Sequence, residues 1–423
     1  MSGVDGLVAH AAAAVDGAGV IDDLRRLVQT PSITGSEERV AELAASLAAS
    51  AGARVEQIAA DPVAIAADAD FPGAEMERTA LPIVVARLGP PGGTRLMLQG
   101  HLDVVPIGDE ATWSVGPWSA ESRDGRLYGR GACDMKGGVA AILGAVRALV
   151  ASGVAERLSG ELVAVFVPSE EDGGQGALAA IRAGLTADMA VIAEPTSLDV
   201  VIAHAGAITF RMTVPGRAAH ASKRREGVSA LDNLAVLLRA LEADERRRNE
   251  SETDPLMTAL GLPYPTIVGK IAGGEWASNV LDRVVVEGRY GVGLGQTWRD
   301  AERDLRACIE AAAAADQFLR DHPPTLAITG GRFSSARVPA DHRVTTSLAA
   351  AAADVIGSRP AVRGAPYGAD MRLLVNEGAT PTVIFGPGDV AVAHSADEYV
   401  PVAEVETCAR VLAAWVTREL ATA

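Results

Sequence analysis

Two hydrophobic periods alternate along this chain. Residues 37–51 (EERVAELAASLAASA) place apolar side chains every three to four positions, the pattern of an amphipathic helix, and Thr34 and Glu37 stand at capping-box spacing ahead of it. Four short runs are instead continuously apolar, as strands buried on both faces should be: 95–99 (RLMLQ), 161–167 (ELVAVFV), 188–193 (DMAVIA) and 380–385 (TPTVIF). Helical runs separate them, notably 135–150 (MKGGVAAILGAVRALV). Strands alternating with helices predict an α/β layered domain with a largely parallel sheet.

The middle of the chain carries a different pattern. Residues 207–214 (AITFRMTV) and 284–292 (VVVEGRYGV) alternate like antiparallel strands with one exposed face, with helices expected at 228–249 and 298–320. This predicts a smaller α+β domain of β-α-β-β-α-β order at 206–335, inserted into a larger domain formed by 1–205 and 336–423. The basic run 246–248 closes the first of these helices, where solvated cations complement the macrodipole. The loop cluster 223–225 is read as solvated too.

Composition narrows the function classes. A chain of 423 residues, 48% hydrophobic and 22% charged, is long enough for two domains and too apolar for disorder. Its formal net charge of -16 excludes nucleic acid as a partner and disfavours an anionic membrane surface. The N-terminus lacks the basic start of a signal peptide, and no apolar run reaches spanning length. Cys133, Cys308 and Cys408 form neither a disulfide framework nor a CxxC pair, so a cytoplasmic setting is expected.

Residues able to do chemistry stand just after each apolar run. His101 and Asp103 come after the first, Glu170 and Glu171 after the second, Glu194 after the third and His394 after the fourth, while Asp134 opens the 135–150 helix. Parallel strands share one carboxyl edge, so these residues should converge. Like charges a few ångströms apart repel by several kcal/mol at intermediate dielectric, so such a carboxylate cluster needs cations. Imidazole and carboxylate without thiolate suit zinc, cobalt or manganese.

The segments HLDVVP (101–106), LYGRGACDMKGG (127–138), PSEEDGG (168–174), AEPT (193–196) and AHSADEYVPV (393–402) closely resemble, in order and spacing, the dinuclear metallohydrolases that include acetylornithine deacetylase, succinyl-diaminopimelate desuccinylase, aminoacylase and glutamate carboxypeptidase. The resemblance extends from LVQTPSITGSEE (27–38) onward, nearly the whole chain. It implies two divalent metal ions per subunit, zinc with cobalt or manganese as alternatives. His101 and Glu194 would bind one, Glu171 and His394 the other, and Asp134 would bridge them. Asp103 would orient His101, as a ligating imidazole needs its second nitrogen held. A cis peptide is implied after Asp134. Glu170 would be the general acid/base, activating water for attack on an amide carbonyl and returning the proton to the leaving amine.

The resemblance also implies a ferredoxin-like lid and homodimerisation domain at 206–335. His220, in PGRAAHAS, would stabilise the oxyanion in cis or from a partner subunit. Asn279, Arg289 and Arg372 would bind substrate, arginine being suited to a carboxylate by its planar fork. Asp370 sits beside Arg372 in YGADMR. Glu at position 194 points toward deacylases and carboxypeptidases rather than aminopeptidases. The wording of the motifs is nearest to acetylornithine deacetylase-like deacylases, so the expected substrate is an N-acyl amino acid or related small amide. A carboxypeptidase or dipeptidase, or a non-catalytic binding protein on the same fold, is the alternative. The acidic stretch 61–81 is longer than such a fold requires and should reshape the rim of the site.

Other candidates have plainer readings. Cys133 is expected to be a buried structural thiol, Lys136 to pack at a helix N-terminus, and His204 to pack near the domain junction. His10, His322 and His342 should be surface residues, and Trp113 and Trp118 walls of the rim.

Overall fold

The computed structural model describes residues 3–422. The chain divides into two compact units: one comprises the chain up to Ile202 with Val338–Arg363 and everything from Asp370, the other Ala203–Arg337 with Gly364–Ala369.

The first unit is built on a large mixed sheet. Seven of its nine described strands are β1 (Arg54–Ala60), β2 (Leu81–Leu88), β3 (Arg95–His101), β4 (Glu161–Val167), β5 (Met189–Ile192), β6 (Val200–His204) and β7 (Thr382–Ile384), in the order β1-β2-β4-β3-β5-β7-β6. The four predicted apolar runs are the parallel heart of this sheet: β3 pairs parallel with β4 and β5, and β7 pairs parallel with β5. Each residue of β4 and β5 is buried, which explains their unbroken apolar character. Antiparallel strands flank that heart: β1 and β2 on the β4 side, β6 on the β7 side.

Helix α1 (Gly137–Ala151) is buried almost throughout and packs against α2 (Val402–Leu420). The helix at Glu38–Ser50 forms as expected, but its capping box does not. Glu37 takes the N-cap position in a helical conformation without a side-chain cap, and the Thr34 hydroxyl donates instead to the Asp103 carboxylate at 3.0 Å. The box spacing was met, but the helix starts one turn later, so Thr34 is not at its N-cap.

The second unit carries a four-stranded antiparallel sheet in the spatial order 266–273, 283–292, 206–215, 325–333. With helices Ala230–Glu250 and Trp298–Ala315 this is the β-α-β-β-α-β, ferredoxin-like arrangement. Inward residues such as Phe210, Met212, Leu237, Val286 and Leu305 form a core of its own. Thr297 and Asp300 make a reciprocal capping box at the start of Trp298–Ala315. The expected 298–320 helix breaks at Asp316, whose side chain caps a new helix, Gln317–Asp321.

One reading of the basic run 246–248 is corrected. Arg248 is not solvated. Its guanidinium is buried, donating to Asp244 (2.9 Å), the Gly291 carbonyl (2.7 Å) and Thr266 (2.8 Å), and lies over the Tyr290 ring. No single described helix is long and apolar enough to cross a membrane.

Candidate metal centre

The parallel strands deliver the predicted residues to one edge of the first unit. His101 is the last residue of β3, and the Leu102 amide then bonds the Val167 carbonyl at the end of β4. Ser169, in a left-handed conformation, turns the chain after β4 so that Glu170 and Glu171 follow. Glu194 follows β5, and His394 lies on the loop beyond β7. Asp134 precedes α1, and the Asp134–Met135 peptide is cis, as the resemblance implied.

The side chains meet. His101 Nε2 is 3.0 Å from Asp134 Oδ1 and 3.7 Å from Glu194 Oε2. On the other side, His394 Nε2 is 3.4 Å from Asp134 Oδ2 and 3.1 Å from Glu171 Oε2. Asp134 therefore presents one oxygen to each imidazole. Ligand atoms of His101, Glu170 and Glu194, and of His101, Asp134 and Glu171, lie within 4.8 Å of one another. Donors about 2 Å from one ion stand about 3.3 Å apart in a tetrahedron, so this spacing is compatible with a shared metal ion as well as with direct hydrogen bonds. The donor set is oxygen and nitrogen only, as hard or borderline divalent ions require.

Electrostatics agree. Burial pushes Glu171 up to about 7 and Glu194 up to about 8. Glu170 is raised well above the ordinary carboxylate range, first by burial, then by the charges of Glu194 and Asp370. His394 is raised to about 11 by hydrogen bonds to Asp134 and Glu171. A cation among these groups would offset the burial and repulsion that raise them. The cluster opens outward at His394, whose side chain is half exposed, while His101 is buried.

Asp103 acts differently from expectation. His101 Nδ1 is held at 2.9 Å by the Asp103 main-chain carbonyl, which fixes Nδ1 as the donor and leaves Nε2 for a ligand. The Asp103 carboxylate lies 3.7 Å from that nitrogen and is taken by other donors: the amides of Glu170 (3.0 Å) and Glu171 (3.1 Å) and the Thr34 hydroxyl. It seats the turn that carries both glutamates.

The same turn is held from two further directions. Asp172 accepts from Ser169 (2.5 Å), from the Met76 amide (3.1 Å) and from Arg78 (2.9 Å), which also reaches Glu37 (3.2 Å). The acidic 61–81 stretch is thereby pinned to the turn, and Asp68 and Asp70 pair with Arg182. Arg372 is almost wholly buried and donates to the Gly173 carbonyl at 2.5 Å. Its neighbour Asp370 accepts from Gln99 (3.1 Å). The Arg372 guanidinium is buried against the turn, not at an open surface.

His220, Asn279 and Arg289 belong to the second unit. His220 and Asn279 face each other across an isolated antiparallel bridge, and exposed His220 Nδ1 bonds Ser222 at 2.9 Å. Arg289 donates to the Pro366 carbonyl at 3.3 Å, and its Nε, shielded from solvent, has no hydrogen-bond partner among the described residues. Cys133 is buried, its thiol pushed up by burial. Lys136 is buried, pushed down to about 7 by desolvation, and donates to the carbonyls of Leu27 and Thr30. The Trp113 indole bonds the Ile107 carbonyl, and Trp118 lies under the Lys136 ammonium. His204 is fully buried; His10 and His322 are exposed, and His342 caps the helix Arg343–Ile356.

Sequence reasoning missed Glu398, Arg130 and Arg78, all buried beside this cluster. The first two lie inside the motifs AHSADEYVPV and YGRGACD, which was the available signal; Arg78 had none.

A paired imidazole–carboxylate cluster at the carboxyl edge of a parallel sheet, with a buried glutamate beside it, defines a metal-dependent hydrolase. The chain belongs to the peptidase family M20/M25/M40, which it matches over residues 97–418. It is similar to acetylornithine deacetylase of Myxococcus xanthus, 34% identical over 333 residues (76% of this chain, 79% of the relative). It is also similar to succinyl-diaminopimelate desuccinylase of Gluconacetobacter diazotrophicus, 29% identical over 349 residues (80% of this chain, 84% of the relative). Among solved structures, the M20 metallo-carboxypeptidase Sso-CP2 of Sulfolobus solfataricus shares the fold, with TM-score 0.72, 17% identity, and 94% and 98% of the two chains covered.

Proposed function

We propose that this metallohydrolase cleaves the amide bond of an N-acyl amino acid or a related small amide, as an acetylornithine deacetylase-like deacylase. The observation that carries the reading is the Asp134 carboxylate between His101 and His394, with Glu194 and Glu171 completing the two halves. The metal, on this proposal, is zinc, with cobalt or manganese able to replace it. The Myxococcus and Gluconacetobacter relatives are, by name, a deacetylase and a desuccinylase, which supports a deacylase over a peptidase.

Bound in this cluster, a pair of divalent ions would supply an acidified water and positive charge for the developing oxyanion. The rest falls to the chain. Glu170 is buried beside the cluster, where its carboxylate is placed to take a proton from the attacking water. It then carries that proton to the leaving amine. Asp103 holds Glu170 by the main-chain amide, leaving the carboxylate free to move the proton. His220 would donate to the oxyanion, and Asn279 and Arg289 would bind the substrate's polar and carboxylate groups. Arg372 holds the turn instead of the substrate.

In this reading the unit centred on 206–335 is a lid and dimerisation domain. The edge strand Thr266–Gly273 supports a homodimer, since its outer side pairs with no other strand among the described residues and Ile267 and Ile271 are each 60% exposed. The free state of all three cysteines supports a cytoplasmic setting.

Glu170→Gln tests the mechanism. It should retain two ions per chain and lose activity by a factor of about 100–10,000. Retained turnover would remove Glu170 from the role. N-acetyl, N-succinyl and N-formyl amino acids assayed beside dipeptides test the substrate class; a preference for dipeptides would favour the peptidase reading.

A further inference from the structure

The geometry points to Glu398 as the group that positions the bridging Asp134, and to Arg130 as the cation that locks Glu398 in place, so that three loops carrying proposed ligands are held as one piece. The inference rests on the metal-centre reading of the Asp134 cluster.

Glu398 lies four residues beyond His394 and is 1% exposed. Its Oε1 accepts from two consecutive main-chain amides, Cys133 at 3.0 Å and Asp134 at 3.1 Å. Its Oε2 accepts from Arg130 Nη1 at 2.6 Å. Arg130 is itself buried and also donates to two carbonyls, Ser395 at 3.2 Å and Pro106 at 3.3 Å, while its Nε has no hydrogen-bond partner among the described residues. Its guanidinium also lies over the Trp113 ring, 5.1 Å from the centroid. In return, the Gly129 amide bonds the Glu398 carbonyl at 2.8 Å.

These contacts join three stretches of chain. Pro106 ends the HLDVVP segment that begins with His101, Ser395 follows His394, and Cys133–Asp134 carries the bridge. One buried ion pair thus ties all three. Two amide bonds to a single carboxylate oxygen fix the peptide from which the Asp134 side chain projects. Asp134 must offer one oxygen toward His101 and the other toward His394, and coordination lengths near 2 Å leave little tolerance. A carboxylate serves here better than a neutral acceptor, because charge-assisted hydrogen bonds are shorter and about twice as strong. Neither side chain is a proposed ligand, so both are positioning residues.

The test is metal binding by the full chain, read without turnover. Wild type, Glu398→Ala, Glu398→Gln and Arg130→Met are stripped with chelator and titrated with zinc by calorimetry, then with cobalt by visible absorption. Glu398→Ala should bind about 10–100-fold more weakly, the usual cost of losing a group that orients ligands, with an altered cobalt spectrum. Glu398→Gln keeps an oxygen for the two amides and should fall between. A folded Glu398→Ala protein with wild-type affinity and spectrum would overturn the inference. Should that variant not fold, wild-type binding by both Glu398→Gln and Arg130→Met would overturn it equally. Failure of the underlying reading looks different: wild type itself would show no metal-dependent change.

Discussion

A β-carbon at Gly138 would sit 1.9 Å from the carbonyl oxygen of Ala193, the residue before Glu194. Only a hydrogen fits there, and that lets the first turn of α1 press against the end of β5 where a proposed ligand begins. Gly138→Ala should force backbone apart at this point, costing about 1–3 kcal/mol in stability and weakening metal retention. Gly6 is the internal control. It lies in the helix Gly3–Ala13 with nothing within 4 Å of its would-be β-carbon, so Gly6→Ala should be neutral or stabilising by up to about 1 kcal/mol. Thermal melts and metal content of the two variants check both statements, and equal behaviour would refute the steric account. The same scale explains why residues such as Glu398 and Arg248 escaped the sequence reading. The proposed ligands are each preceded by an apolar run or placed at a helix start, and that order is visible in one dimension. Glu398 and Arg248 act on partners 264 and 43 residues away, which hydrophobic periodicity does not record, so the available signal for Glu398 was its place in a motif.

At the scale of elements, visibility follows burial only in part, since β2 and β6 are largely buried and were not predicted. Strands β3, β4, β5 and β7 were legible because covering both faces demands an unbroken apolar run. β1 and the edge strand Thr266–Gly273 were not, because most of their residues are partly or fully exposed and neither period stands out. The helix Ala230–Glu250 was placed correctly while the role of its end was not. There Asp244 joins Arg248 and the Tyr290 hydroxyl, which donates to it at 2.7 Å. Burial opposes the Asp244 charge, but the hydrogen bonds from Tyr290 and Arg247 and the nearby guanidinium of Arg248 prevail and hold its carboxyl below the ordinary value. A carboxyl lowered by folding contributes stability above the ordinary carboxylate range and loses it as pH falls through the folded value. Asp244→Asn should therefore destabilise the protein at pH 7, by about 3 kcal/mol for a broken buried pair. The gap from wild type should begin to close below about pH 4 and narrow further as pH falls toward the lowered folded value, where the wild-type carboxyl protonates too. Calorimetry between about pH 3 and pH 7 measures it, and a gap that stays constant would show that Asp244 acts by packing alone.

For the whole molecule the governing quantity is negative charge. The chain holds 54 acidic against 38 basic residues, and the first unit gathers Asp134, Glu170, Glu171 and Glu194 at one sheet edge. Without cations, that gathering opposes folding of the first unit through repulsion and desolvation. The second unit has a separate hydrophobic core and none of the proposed ligands. Metal should therefore stabilise the two units unequally. An ion that binds only the folded form adds RT ln(1 + [L]/Kd), about 2.7 kcal/mol at a hundredfold excess over Kd. In a unit of this size each kcal/mol moves the midpoint by about 2–4 °C. Calorimetry of the intact chain, stripped with chelator and then reloaded with zinc, should show one transition rising by about 5–10 °C while another stays in place. A Glu171→Ala chain should lose much of that rise, because the His394 half of the cluster would then lack its carboxylate. If all unfolding heat shifted together, the units would unfold as one cooperative body. If nothing shifted, the acidic cluster would not be a metal centre, since a site that binds ions only when folded must register in the stability of the fold that builds it.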